Sequence, residues 1–185
     1  MNDLYDIALS FATEEQDLVE MVYHYLKAEG ICPFFAPASE CQIVLSGRNQ
    51  REVFYEIFGM SAKYVALFVS KNYVKREVPM EEAAIAFSKH GDNGSVIPIY
   101  LDGTALPKKM FDPKSANYFV SEDPAKIAAH LAAKIRSATN SDKNVRREQQ
   151  GGAPKIESDG CVMSIFDVCA KNVVQINKFK GDINF

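Results

Sequence analysis

Apolar residues in this chain fall into short runs and stripes that alternate along most of its length. Tyr5 to Phe11 (YDIALSF) predicts a first strand, and Glu14 to Glu29 a helix with Leu18, Val22, Tyr25 and Leu26 on one stripe. Ser10 or Thr13 can begin a cap for that helix, and Gly30 is placed to end it. Ile31 to Phe35 predicts a short second strand, with Pro33 marking it as irregular or near an edge. Ala36 to Gly47 reads as a loop as long as many binding loops. Asn49 to Phe58 predicts a helix, and Lys63 to Val69 a third strand whose near-continuous apolar run suits a parallel sheet covered on both faces.

Ser70-Lys71-Asn72-Tyr73 follows that strand, and a helix is predicted over Pro79 to Lys89. Met80, Ala83, Ala84 and Phe87 recur at i, i+3, i+4 and i+7, so they predict its core face and set Glu82 almost opposite. Glu81 and Glu82 fall in the expected first turn, where acids suit the positive end of the helix dipole. A carboxylate beside the carboxyl end of a parallel strand also stands where open α/β sheets bind ligands. Ser95 to Leu101 predicts a fourth strand closed by Asp102-Gly103, residues 104–117 an irregular stretch with a short helical piece, and Tyr118 to Val120 a fifth strand. Pro124 to Arg136 predicts a last helix with Ile127, Leu131 and Ile135 on one face. Strands alternating with helices imply an α/β fold with a five-stranded, doubly wound parallel sheet and helices on both faces.

Composition changes at Ser137. Residues 137–158 are rich in Asn, Ser, Gln, Gly and charge and read as a polar linker. Residues 159–185 carry β-like pieces, Cys161 to Phe166, Val173 to Asn177 and Asp182 to Phe185, which suggest a short β-rich appendix that packs on another surface. The domain expected from these shifts is 1–136. With 185 residues, 47% of them hydrophobic, and a net charge of −3, the chain has a soluble composition and no electrostatic footprint for nucleic acid or an anionic membrane. The N-terminus lacks a basic and apolar leader and no run reaches transmembrane length, so a cytoplasmic location is expected. Cys32, Cys41, Cys161 and Cys169 form no CxxC pair and have no His at ligand spacing, so they read as reduced thiols, Cys32 within a strand. His24, His90 and His130 are widely spaced, and no metal site is expected.

Five segments in order resemble a TIR domain of the bacterial type over roughly residues 4–136. Tyr5 to Ala12 is similar to the first-strand box, Gly30-Ile31 with Phe34-Phe35 to the second strand, and Ala36 to Gly47 to the BB loop. Ser70 to Tyr73, with an acid nine residues beyond Tyr73, is similar to the serine-x-asparagine-tyrosine segment before the αC helix. Pro98 with Leu101 to Thr104 and Leu106-Pro107 resembles the fourth-strand region. The resemblance implies a flavodoxin-like fold and, in many members, cleavage of the nicotinamide–ribose bond of NAD⁺, with NAD⁺ as substrate and neither a metal nor a second cofactor. It carries the essential glutamate to Glu82 and the substrate-lining positions to Phe11, Ala12, Phe35, Gly47 and Tyr73. It also implies a homo-oligomer through TIR–TIR contacts, a sensor or effector partner, and a role in bacterial immune signalling or NAD⁺ depletion, while the strand-like pattern of residues 160–185 separately suggests that the C-terminal tail adds to self-association. The alternative is a non-catalytic TIR adaptor. The chain departs from the pattern in having Val78 where many active relatives have tryptophan, Ala36 in place of an acid, and no arginine-aspartate pattern in the loop. A flavodoxin-like or receiver-like module is disfavoured because there is no phosphate-cradling glycine loop and Asp6 lies inside the first strand.

Overall fold

A computed structural model of the chain describes residues 4–91, 93–111 and 118–149. β1 (Tyr5–Ser10), β2 (Pro33–Phe34), β3 (Ala62–Val69), β4 (Val96–Tyr100) and β5 (Phe119–Val120) form one parallel sheet in the order β2-β1-β3-β4-β5. The expected five-stranded parallel sheet is therefore present. Seven of the eight residues of β3 are buried, and only Lys63 is partly exposed, which is the pattern of a strand paired on both edges and covered on both faces. β2 sits at one edge, the position at which Pro33 costs no ladder hydrogen bond. Pro98 is tolerated in β4 because β5 joins only beside Ile99 and Tyr100.

Side-chain alternation along the strands sorts the core into two layers. Ile7, Leu9, Ala66, Phe68, Ile97 and Ile99 face α1 (Gln16–Ala28) and α5 (Pro124–Gln149). Ala8, Val65, Leu67 and Val69 face α2 (Ser39–Leu45), α3 (Gln50–Glu56) and α4 (Glu77–His90), together with the π-helical turn Ile57–Ser61. Helices thus cover both faces. α1 buries Val19, Val22, Tyr23 and Leu26, so its inner stripe is rotated from the expected one, and Tyr25 is 47% exposed. Tyr23 faces inward because its ring stacks on Phe35 at a centroid separation of 5.1 Å.

Several boundaries differ from expectation. The segment 36–47 is not a plain loop, since it contains α2, and Cys41 anchors that helix by its burial. Neither Ser10 nor Thr13 caps α1 or the 3₁₀ turn Thr13–Glu15, whereas Asn49 caps α3 by accepting from the Arg51 N–H. Cys32 precedes β2 and is only half-buried. Residues 108–110 form a turn where a short helical piece is expected. α5 continues to Gln149, well past Arg136, because residues 137–149 contain no glycine or proline to stop a polar helix. The rest of the expected linker and the β-like tail, residues 150–185, lie outside the described residues, as does the tail's role in assembly.

Candidate active site

In a sheet of this order, the chain leaves β1 to one side and β3 to the other, and the crevice between their carboxyl ends is the usual ligand position. Ser10 ends β1 opposite Leu67 of β3. Its side chain points to the α4 layer and is fully buried. There Ser10 Oγ lies 2.6 Å from Glu82 Oε2 and 2.7 Å from Tyr73 Oη. The Tyr73 hydroxyl also donates to the Pro79 carbonyl at 2.9 Å, in the first turn of α4.

Glu82 is 7% exposed, which overturns the expectation that it faces outward. The inward face of α4 is Pro79, Glu82, Ala83 and Ala86, and Ala84 is exposed. Ala83 and Ala86 are small enough to let α4 lie close over the sheet, and Glu82 is accepted in that layer because Ser10 meets its carboxyl group. Helix α4 begins at Glu77, so Glu81 and Glu82 occupy its second turn and the dipole account of them as first-turn acids loses force. Burial, reinforced by the neighbouring Glu81 charge, pushes the Glu82 carboxyl up to about 8, against the pull of the Ser10 hydroxyl. Tyr73 is fully buried, and burial together with the Glu82 charge raises its phenol well above the ordinary value.

The loops around this cluster are tied together. Glu15 Oε1 accepts from Ser70 Oγ at 2.8 Å and from Asn72 Nδ2 at 3.0 Å, joining the loop after β1 to the loop after β3. Arg76 and Glu14 form an ion pair across the same two loops. Ser70 Oγ also accepts from the Tyr73 N–H at 3.0 Å, which sets the turn that delivers Tyr73. Asp102 Oδ2 accepts from the Lys71 N–H at 2.8 Å and brings in the loop after β4. Glu15 Oε2 is buried and has no hydrogen-bond partner among the described residues.

Of the residues singled out from the sequence, Tyr73 and Glu82 meet through Ser10, and Ala12 is buried in the same layer. Tyr73 lies beneath the site, where its hydroxyl holds Ser10 and α4, and not on an open substrate wall. Phe11 and Phe35 belong to the opposite layer, where their rings stack with centroids 5.3 Å apart. Gly47 is exposed beyond the end of α2, with φ at 73°, a turn conformation that glycine adopts without strain. Sequence reasoning missed Ser10, Glu15 and the Ser70 hydroxyl as parts of one network. The alternation of the first strand, which puts Ser10 on the side of Ala8 and Ala12, was the available signal for Ser10. Val78 is 40% exposed, one turn before Glu82. Among the described residues no three His, Cys, Asp or Glu side chains cluster as a metal would require. No described helix is long and apolar enough to cross a membrane.

The β2-β1-β3-β4-β5 sheet with a buried acid at its switch point defines a flavodoxin-like α/β domain. The sequence pattern of the TIR domain family matches residues 7–139. The chain belongs to this family, and it is of the bacterial type. It is 31% identical over 148 residues to the 3′ cyclic ADP-D-ribose synthase AaTIR of Aquimarina amphilecti, an alignment covering 76% of this chain and 42% of that protein. The chain thus spans less than half the length of that curated relative. Among solved structures, the TIR domain of the Toll-related receptor TRR-2 from Hydra magnipapillata is similar with a TM-score of 0.56 and 17% identity, covering 71% of this chain and 98% of that one. A metazoan TIR-STING receptor from C. gigas is similar with a TM-score of 0.54 and 16% identity, covering 72% of this chain and 40% of that one. At these identities the two structures speak for the fold alone.

Proposed function

We propose that this chain cleaves the nicotinamide–ribose bond of NAD⁺, with Glu82 as the essential carboxylate. The observation that carries the reading is the place of Glu82 at the switch point, fixed through Ser10 to the end of β1. The name of its relative as a cyclic ADP-ribose synthase supports the same substrate. Nicotinamide leaves as a neutral base from a cationic pyridinium, so the bond breaks toward an oxocarbenium-like ribose and needs no acid on the leaving group. An ionised Glu82 stabilises that positive centre, directly or by accepting from a ribose hydroxyl, in a site poor in water. Water addition then gives ADP-ribose and a proton, and attack by a hydroxyl of the bound molecule itself gives a cyclic product and a proton. NAD⁺ is the substrate, and no further cofactor takes part.

In this reading Phe11 and Ala12 border the nicotinamide and ribose, with Phe35 stacked behind Phe11, and Gly47 lets the loop carrying α2 turn over the bound molecule. Assembly through TIR–TIR contacts, aided by residues 159–185, serves as the switch, and a sensor or effector protein supplies the cue in bacterial immune signalling or NAD⁺ depletion in the cytoplasm. The test is nicotinamide release from NAD⁺ by the full chain at high protein concentration, with and without a crowding agent, against Glu82→Gln. Release by the wild type that disappears in Glu82→Gln supports the enzyme; equal release from both removes Glu82 from the chemistry.

A second reading, a non-catalytic adaptor acting through TIR–TIR or TIR–partner association, is favoured by two observations. Glu82 is only 7% exposed, and Val78 supplies no aromatic wall beside it. A chain that assembles but shows no NAD⁺ binding by calorimetry supports the adaptor.

A further inference from the structure

The hydrogens of the switch-point cluster can be counted. Ser10 Oγ is 2.6 Å from Glu82 Oε2, Ser10 Oγ is 2.7 Å from Tyr73 Oη, and Tyr73 Oη is 2.9 Å from the Pro79 carbonyl. Three oxygen–oxygen contacts this short need three hydrogens, because two oxygens with none between them repel. Each hydroxyl brings one hydrogen and the Pro79 carbonyl brings none. With Glu82 ionised, Ser10 and Tyr73 leave the set one hydrogen short. With Glu82 protonated, all three contacts close in a single direction: Glu82 donates to Ser10, Ser10 to Tyr73 and Tyr73 to the Pro79 carbonyl.

We propose that Glu82 rests as a neutral acid at the head of this chain, that Ser10 and Tyr73 are positioning residues which hold its proton, and that a cationic pyridinium ligand discharges it to the carboxylate. The resting proton stands on the hydrogen count, whereas the ligand class rests on the proposed function above. Burial acts in the same direction, since it disfavours the charged carboxyl. Among the described residues no cation offsets this. Ser10 from β1 and Tyr73 from the turn 73–75 face the carboxyl as neutral hydroxyls, and Glu81 on α4 adds a like charge. Arg51 of α3 is engaged by Glu81, and Arg76 by Glu14. When a pyridinium arrives, the proton passes to water and Ser10 turns its hydrogen onto the carboxylate. Tyr73 can then serve Ser10 or the Pro79 carbonyl but not both. One contact opens, either within the cluster or at the first turn of α4, and ionisation is thereby coupled to the seating of that helix.

The experiment is a ¹³C NMR titration of the full chain labelled at the glutamate carboxyl, with the Glu82 signal assigned by its loss in Glu82→Gln. The wild-type midpoint is expected near pH 8. In Tyr73→Phe two of the three contacts vanish and the Ser10 hydrogen alone satisfies an ionised Glu82, so the midpoint falls by about one pH unit. Plain loss of a polar neighbour shifts a buried acid upward instead, so an unchanged or raised midpoint in Tyr73→Phe overturns the chain of hydrogens. Ser10→Ala removes the one donor that the described residues offer the ionised form and raises the midpoint, and Ser10→Thr restores it. A wild-type midpoint between 4 and 5, around the ordinary carboxyl value of 4.5, overturns the resting neutral acid. Nicotinamide release separates this from the function: a high midpoint with no release and no NAD⁺ binding overturns the pyridinium ligand and leaves the hydrogen count standing, whereas release with an ordinary midpoint overturns the proton chain and leaves the enzyme.

Discussion

Glu81 and Glu82 are consecutive on α4 and occupy opposite environments. Glu82 is 7% exposed and meets Ser10 at the end of β1, whereas the Glu81 side chain is 33% exposed and pairs with Arg51 at 3.2 Å. The pair is a built-in comparison. Glu82→Gln keeps the shape of the side chain and removes its charge, so nicotinamide release is expected to fall by about 100-fold or more, the scale of losing one preorganised electrostatic partner. Glu81→Ala is expected to stay within about threefold of wild type. Steady-state release assays on both variants measure this, and equal losses in the two would remove the distinction between the neighbours.

Burial of Glu82 also sets a pH dependence of stability. Its carboxyl is pushed up to about 8 by burial in the folded chain, from an ordinary value of 4.5, so the folded state holds the proton more tightly. The stabilisation is fully present below about pH 4.5 and is lost as pH rises toward 8, with a size on the order of a few kcal/mol. Each kcal/mol corresponds to roughly 2–4 °C in Tm for a chain of this length. Wild type should therefore lose Tm between pH 5 and 8 relative to Glu82→Gln, which cannot ionise. Parallel melting curves for the two proteins across that window would contradict the assignment.

The sheet was legible because its strands are apolar runs bounded by polar turns, and β3 in particular reads as a fully covered strand. The site was legible only in pieces. Ser70 to Tyr73 and Glu82 stand out as a segment, but 72 residues separate Ser10 from Glu82 and 57 separate Glu15 from Asn72, distances over which spacing carries no signal. The orientation of α4 failed for a related reason. A hydrophobic stripe through Met80 and Ala84 looks better than one through Glu82 until a distant serine satisfies the carboxyl, so tertiary hydrogen bonding outweighed local pattern. α2 was missed because its 7 residues lack a side-chain cap, and its place is set by contacts with α1.

Those contacts give a prediction for the loop. Glu40 of α2 accepts from Lys27 at 2.7 Å and from the Tyr23 hydroxyl, and Lys27 also donates to Tyr23 at 3.1 Å. The Lys27 ammonium, then the Tyr23 hydroxyl, hold the Glu40 carboxyl down to about 2, while burial and Glu40 push the Tyr23 phenol up to about 12. The contribution of Glu40 is present above about pH 4.5 and is lost as pH falls toward 2. The Glu40 side chain is 50% exposed, so Glu40→Gln should cost about 1 kcal/mol or less globally. The local effect is larger: amide exchange over residues 39–45 should speed several-fold, with α4 unchanged. Unaltered exchange in that segment would show that Cys41 burial alone holds α2.

Val78 offers a test of what the missing aromatic wall does. It is 40% exposed at i−4 from Glu82, so its side chain lies on the same side of α4, one turn nearer the helix start. A valine there presents two methyl groups to a flat ring, whereas a tryptophan presents a face that stacks on nicotinamide or adenine for about 0.5–1.5 kcal/mol. Because the position is open to solvent, Val78→Trp should not disturb the core. If NAD⁺ is bound beside Glu82, this variant should lower KM by about 3- to 10-fold and change kcat much less, since stacking on a ring that keeps its place acts on ground and transition states alike. A fall in kcat with KM unchanged would instead mean that the ring obstructs α4 or its partner surface, and would place the base of the substrate elsewhere in the crevice.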